Sequence, residues 1–183
     1  MRALLLLFLL AVAPLAAADE ALWALLRGGG QVLFIRHAST VPGVGDPQGF
    51  TLEDCATQRN LSDAGRAEAR RLGELLRRHD VPVETVLSSP WCRCIETAEL
   101  AFGRVDGKWA ALSNLFGRHP NADPQVKEMR PRIGAFRGKG NLALVSHGST
   151  ALALTGVSPL QAEVLVLTPV PGGFRLAGRL PPS

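Results

Sequence analysis

Val32-Leu33-Phe34-Ile35 runs straight into Arg36-His37-Ala38, and the reading of this junction decides the fold. Four consecutive apolar residues read as a strand buried on both faces. A second run, Leu142-Ala143-Leu144-Val145-Ser146, has the same character and ends on His147. Two histidines are thus expected at the ends of two buried strands. In open α/β sheets ligands bind there, because side chains at the strand ends leave the packed layer and converge on a crevice.

The arginine narrows the chemistry. A guanidinium stays charged at any working pH and would repel a divalent cation held by the neighbouring imidazole, so no metal is expected. A phosphate is the opposite case, since its oxygens match the planar fork of Arg and an imidazole can act as nucleophile, donor or acid near neutral pH. A third segment, Ser88-Ser89-Pro90-Trp91-Cys92-Arg93, follows the short apolar run of residues 83–87. Pro90 suits the first turn of a helix, which would put Arg93 about one turn in, near the dipole end that favours anions.

These residues resemble the histidine phosphatase superfamily, the phosphoglycerate mutase-like family. Its four marks occur in order as Arg36-His37-Ala38, Leu61-Ser62-Asp63-Ala64-Gly65, Ser88-Ser89-Pro90-Trp91-Cys92-Arg93 and Ser146-His147-Gly148. Each string alone is weak, but four in sequence are specific. The resemblance covers roughly residues 31–156 and implies a three-layer α/β/α sandwich with a mostly parallel central sheet. The alternation of strands and helices argues for the same architecture.

The mechanism expected is hydrolysis of a phosphomonoester through a phosphohistidine on His37. Arg36, Arg93 and His147 would gather the equatorial oxygens, and the amides near Gly148 and Ser149 would add donors. His37 needs an acceptor, such as a backbone carbonyl, to pin its other nitrogen. No metal and no cofactor are expected.

At 183 residues and 46% hydrophobic content the chain suits one domain. Residues 1–18 read as a secretory signal peptide, with Arg2 as the positive start, an apolar stretch over residues 3–12, and Ala16-Ala17-Ala18 before the cleavage point. The alternative is an uncleaved anchor. Residues 19–183 form the domain, placed in the periplasm or outside the cell, with no stable membrane span once the leader is gone. The formal charge of +4 becomes +3 without Arg2. This suits a small anionic substrate, and with three Trp and no Tyr there is no platform for nucleic acid.

Export changes how Cys55, Cys92 and Cys94 read. One disulfide and one leftover thiol are expected, tying the loop of Cys55 to the helix of Arg93 through either Cys92 or Cys94. The alternative is three small buried hydrophobes.

Along the chain, residues 19–27 read as a short helix closed by Gly28-Gly29-Gly30. Residues 39–60, with Pro42, Gly43, Gly45, Pro47 and Gly49, read as a long functional loop covering the site. Ser62 caps a helix to about His79 that buries Ala69, Leu72, Leu75 and Leu76 and turns Arg66, Arg70, Arg71, Arg77 and Arg78 mostly to solvent. Residues 84–87 read as a strand and residues 90–102 as a helix. Residues 103–140 are poorly patterned, with a helix over 125–136 interrupted by Pro131. A strand at 141–145, a helix at 149–154 and a strand pair at 162–168 and 174–179 complete the chain. His79 and His119 are assigned no catalytic part.

The general acid is unassigned. Asp46, Glu53 and Asp54 in the first loop and Asp123 and Glu128 in the second are candidates, each read as a solvated loop residue. Acid phosphatases and phytases of this family place an aspartate after the second histidine, where this chain has Gly148, which weakens that assignment. Without an acid, substrates with good leaving groups such as phosphohistidine or acyl phosphates are favoured over sugar phosphates. A mutase is disfavoured for the same reason. Small exported relatives include phosphatases acting on phosphorylated heptose, so a cell-envelope phosphosugar is one substrate class. The rival reading is a non-catalytic phosphate- or phosphosugar-binding module on the same fold.

Overall fold

The computed structural model describes residues 13–116 and 124–182, with side chains from residue 20 onward. Most of the expected leader, and with it His119 and Asp123, lies outside the described residues. Helix α1 spans Ala13–Arg27, so it starts earlier than residue 19. Its Ala- and Leu-rich sequence favours helix throughout, and it ends where Gly29 and Gly30 take positive φ.

The remaining elements are β1 (Val32–Arg36), α2 (Asp63–Arg78), β2 (Val83–Ser88), α3 (Cys92–Phe102), β3 (Gly107–Lys108), α4 (Pro124–Gly134), β4 (Asn141–Ser146), α5 (Gly148–Thr155), β5 (Val164–Val170) and β6 (Gly173–Leu180). The strands form one sheet in the order β3-β2-β4-β1-β5-β6. β1 and β4, β4 and β2, and β2 and β3 pair in parallel, whereas β5 and β6 close the sheet antiparallel.

Strand β1 shows why the sheet is covered twice. Leu33 and Ile35 face a core shared with Leu26 of α1, Leu72 and Leu76 of α2, and Ala98 and Ala101 of α3. Val32 and Phe34 face a second core with Met129 and Ile133 of α4 and Ala151 and Leu154 of α5. Side chains alternate along a strand, so a strand apolar at every position requires a helical layer on each side. The molecule is therefore the expected three-layer sandwich.

Three local expectations are corrected. α3 begins at Cys92, with Trp91 extended as its cap, so Arg93 is the second helical residue instead of a turn in. The backbone N–H of Ser89 bonds the Val145 carbonyl, which carries residues 89–91 straight out of the sheet before the helix can start. α4 continues through Pro131, because Val126, Met129 and Ile133 hold one face of it in the second core. β3 was not expected, since two residues carry no period.

Ser62 caps α2 as anticipated, its Oγ accepting from the Gly65 N–H. Gly65 itself is required by a close approach: a Cβ there would lie 1.8 Å from the Ser39 carbonyl oxygen. This contact seats α2 directly beneath the exit of β1. Leu75, expected in the core, is only half-buried.

Candidate active site

Sheet register brings the two histidines together. Arg36 lies opposite Ser146 across the parallel β1/β4 pair, and the His37 N–H bonds the Ser146 carbonyl at 2.9 Å. The rings of His37 and His147 are 5.3 Å apart, edge to face at 71°. Both are nearly enclosed, His37 at 4% and His147 at 2% exposure.

His37 Nδ1 lies 2.9 Å from its neighbour's carbonyl, Ala38 O. A carbonyl only accepts, so Nδ1 holds the ring proton and Nε2 keeps its lone pair for the cleft. The acceptor expected from sequence is thus Ala38. Burial, reinforced by the charges of Arg93, Arg36 and Arg59 and opposed by the Ala38 bond, pushes the His37 pKa down to about 3. His147 is lowered in the same direction, first by burial and then by His37 and the three arginines. Both rings are neutral near pH 7. The Ser89 hydroxyl sits 2.9 Å from His147 Nε2; with that hydroxyl donating, the proton of His147 rests on Nδ1.

Arg36 donates from Nη1 to the Pro159 carbonyl and passes against Gly148, where a Cβ would stand 3.1 Å from the guanidinium carbon. A side chain at residue 148 would thus crowd the arginine's path. α5 starts at Gly148 with His147 as its cap, so its first amides have no partner within the helix. The Ser149 hydroxyl is occupied, donating to Asn114 Oδ1 at 2.6 Å.

Asp46 is a correction. It is no solvated loop residue: its side chain is 5% exposed and its carboxylate grips Arg93, itself 1% exposed, from Nη1 at 2.6 Å and Nη2 at 3.2 Å. It also accepts from the Arg59 backbone and from Trp91 Nε1. Those hydrogen bonds outweigh desolvation and hold its pKa below the usual carboxylate value, which makes it a poor proton donor. Of the other candidates, Glu53 is exposed, Asp54 caps a 3₁₀ turn, and Glu128 accepts from Trp109 Nε1. Among the described residues that line the cleft there is no carboxylate.

Two residues passed over in the sequence complete the site. Arg59 lines the cleft and donates from Nη1 to the Gly43 carbonyl. Ser89 orients His147. Ser89 lay inside a motif already noted, and Arg59 sits two residues before the Leu61-Ser62 helix opening, a position that carries no signal by itself.

The disulfide joins Cys55 to Cys92, and Cys94 is the free thiol. On α3 Cys92 faces the loop, while Cys94 points into the core, where burial pushes its thiol pKa up to about 12. Gln58 Oε1 accepts from the Cys92 N–H beside the bridge. His79 lies elsewhere, stacked on Trp23 at 3.7 Å. Of the α2 arginines, Arg66 pairs with Glu96 and Asp63 on the outer surface. Among the described residues no helix is long and apolar enough to cross a membrane.

What converges is a cleft of about 430 Å³ lined by Arg36, His37, Arg59, Arg93, His147 and Gly148 among others. Four nitrogens of these residues, Arg36 Nε, Arg59 Nε, Arg93 Nε and His147 Nδ1, are buried without a hydrogen-bond partner. Buried donors normally have partners, and these four unpartnered nitrogens all belong to residues that line the cleft.

Residues 32–119 match the family model of the histidine phosphatase superfamily (branch 1). This stretch contains Arg36, His37, Arg59 and Arg93. No curated protein matches the chain. Among solved structures, the protein histidine phosphatase SixA in complex with tungstate is 19% identical at a TM-score of 0.61, over 83% of this chain and 97% of that one. A mycobacterial glucosyl-3-phosphoglycerate phosphatase is 17% identical at 0.55, over 80% and 96%. A variant phosphoserine phosphatase from Entamoeba histolytica, bound to phosphoserine, is 14% identical at 0.54, over 81% and 95%. At such identities the likeness is one of fold. Residues 32–119 thus resemble the histidine phosphatase superfamily, and the fold is shared with these solved phosphatases.

Proposed function

We propose that this protein is an exported, metal-independent phosphatase that hydrolyses a small phosphomonoester through a phosphohistidine on His37. The observation that carries the reading is one cleft lined by His37, whose Nε2 is free, and by four residues that each hold a buried nitrogen without a partner. Neutral His37 attacks phosphorus, the N–P bond forming as the bond to the leaving oxygen breaks, while Arg36, Arg59, Arg93 and His147 hold the equatorial oxygens. Water then attacks phosphorus, the N–P bond breaks, and phosphate leaves with His37 neutral again.

The described residues of the lining offer no carboxylate, and in this reading the leaving oxygen departs without an acid from them. Substrates with stable leaving groups, such as acyl phosphates or phosphohistidine, are therefore the favoured class, and a cell-envelope phosphosugar is the harder one. Turnover of aryl phosphates of graded leaving-group pKa tests this. A steep dependence, with acid-labile phosphate on His37, is expected, and a flat dependence would show that an acid acts.

Cleavage after Ala18 is compatible with the fold, since Leu22, Trp23 and Leu26 of α1 pack on the sheet and would all remain. The disulfide agrees with an oxidising compartment such as the periplasm. A mature mass beginning at Asp19 or Glu20 is the expected result. The rival reading is a phosphate-binding module without turnover. Phosphate binding with neither hydrolysis nor labelled His37 would establish that one.

A further inference from the structure

The cleft has a cationic floor and an apolar lip. Val44 is 89% exposed, Phe116 73% and Leu152 45%, and all three line the cleft mouth. Val44 and Phe116 are the two most exposed large apolar side chains among the described residues. Exposing such groups costs solvation free energy unless a ligand covers them, and here they line the same cleft as the residues that hold the unpartnered nitrogens.

Their exposure is not slack in the chain. Val44 is fixed from both sides: the Gly43 carbonyl accepts from Arg59, and two residues on Asp46 binds Arg93, the Arg59 backbone and Trp91. Gly43 and Gly45 both take positive φ, which turns the tip outward between those anchors. The Phe116 N–H donates to Asn114 Oδ1, which also accepts from Ser149 at the start of α5, and Leu152 follows one turn later on that helix. The anchors are the same residues that build the floor. At the mouth the Ser149 hydroxyl is already engaged, donating to Asn114 Oδ1.

We infer that the ligand of this cleft carries its phosphoryl group on an apolar body, aryl or alkyl, that lies against Val44, Phe116 and Leu152. The inference rests on the oxyanion site of the proposed function but not on turnover. A short soluble apolar phosphate and a lipid phosphate share this chemistry.

The test is calorimetric binding of n-alkylphosphonates, methyl to dodecyl, to the full-length protein, since the C–P bond cannot be hydrolysed. Affinity should rise by up to about fourfold per methylene, the value for full burial, as the chain covers the lip. A plateau by about six carbons identifies a short soluble group. A rise continuing to dodecyl, with cosedimentation on phosphatidylcholine vesicles containing dioleoyl phosphatidate, identifies a lipid phosphate. Val44→Ser and Phe116→Ser should flatten the series, and Leu176→Ser, on the outer strand β6, should not. A flat series in the unaltered protein, or glucose 6-phosphate binding tighter than hexylphosphonate, overturns the inference. A rising series without hydrolysis of any phosphomonoester keeps it and defeats the phosphatase reading, whereas hydrolysis with a flat series does the reverse.

Discussion

Two regions supply the cleft, and they are held in opposite ways. Arg36, His37, Ser89 and His147 stand on the ends of β1, β2 and β4, where parallel register fixes them collectively. Asp46 and Arg59 come from a long irregular segment pinned by point ties: the Asp46 grip on Arg93, the Cys55–Cys92 bridge and the Gln58 bond to the Cys92 N–H. The strand-end half derives its precision from a sheet it shares with both cores. The loop half depends on a few interactions, each of which a single substitution can remove.

The comparison breaks most directly at the nucleophile. His37→Ala should lower turnover of an aryl phosphate by about a thousandfold or more while the melting temperature holds, because the strand end around it is set by the sheet. Unaltered turnover would remove His37 from the chemistry. In the loop half the larger expected effect is on stability. Asp46→Ala leaves the Arg93 charge buried without its partner, at a cost of about 3–5 kcal/mol. Added inorganic phosphate should recover more of the melting temperature in that variant than in the unaltered protein, because the freed guanidinium gains an anion. Equal recovery would show that Asp46 does not occupy the anion's share of Arg93.

Cutting the bridge should cost less. Cys55→Ser is expected to lose about 2–4 kcal/mol in denaturant melts and to raise KM more than it lowers kcat, since Arg59 is tied through the bridged segment and His37 is not. An equal effect on both constants would erase the distinction between the halves. The fourth test is with pH. His37 titrates at about 3 in the fold against 6.5 when free, so the unfolded chain binds more protons between those values. The stability this contributes is complete above pH 6.5 and is lost as pH falls toward 3; His147 has the same sign. Melting temperature between pH 7.5 and pH 4 should therefore fall less steeply in a His37→Gln, His147→Gln double variant. Parallel curves would mean that the imidazoles are not held neutral.

Much of the strand-end half was legible beforehand because its signals are local. The apolar runs before His37 and His147, the Ser62 cap and the turn glycines each act within a few residues. The two-residue strand β3 and the start of α3 were not legible, since the first carries no period and the second is displaced by a bond from Ser89 to another strand. Asp46 was weighed and misjudged: acidic residues among glycines and prolines are ordinarily solvated, and the partner that buries it is Arg93, 47 positions away.

The sequence by itself determined that apolar strands would deliver Arg36-His37 and His147 to one edge of a sheet, because side-chain periodicity and burial are properties of short segments. Only the tertiary structure decided which cysteine pairs with Cys55, that the Asp46 carboxylate is taken up by Arg93, and that Arg59 joins the lining of the cleft. Those outcomes depend on which distant groups meet in a low-dielectric interior, where one hydrogen bond or one buried charge outweighs local preference.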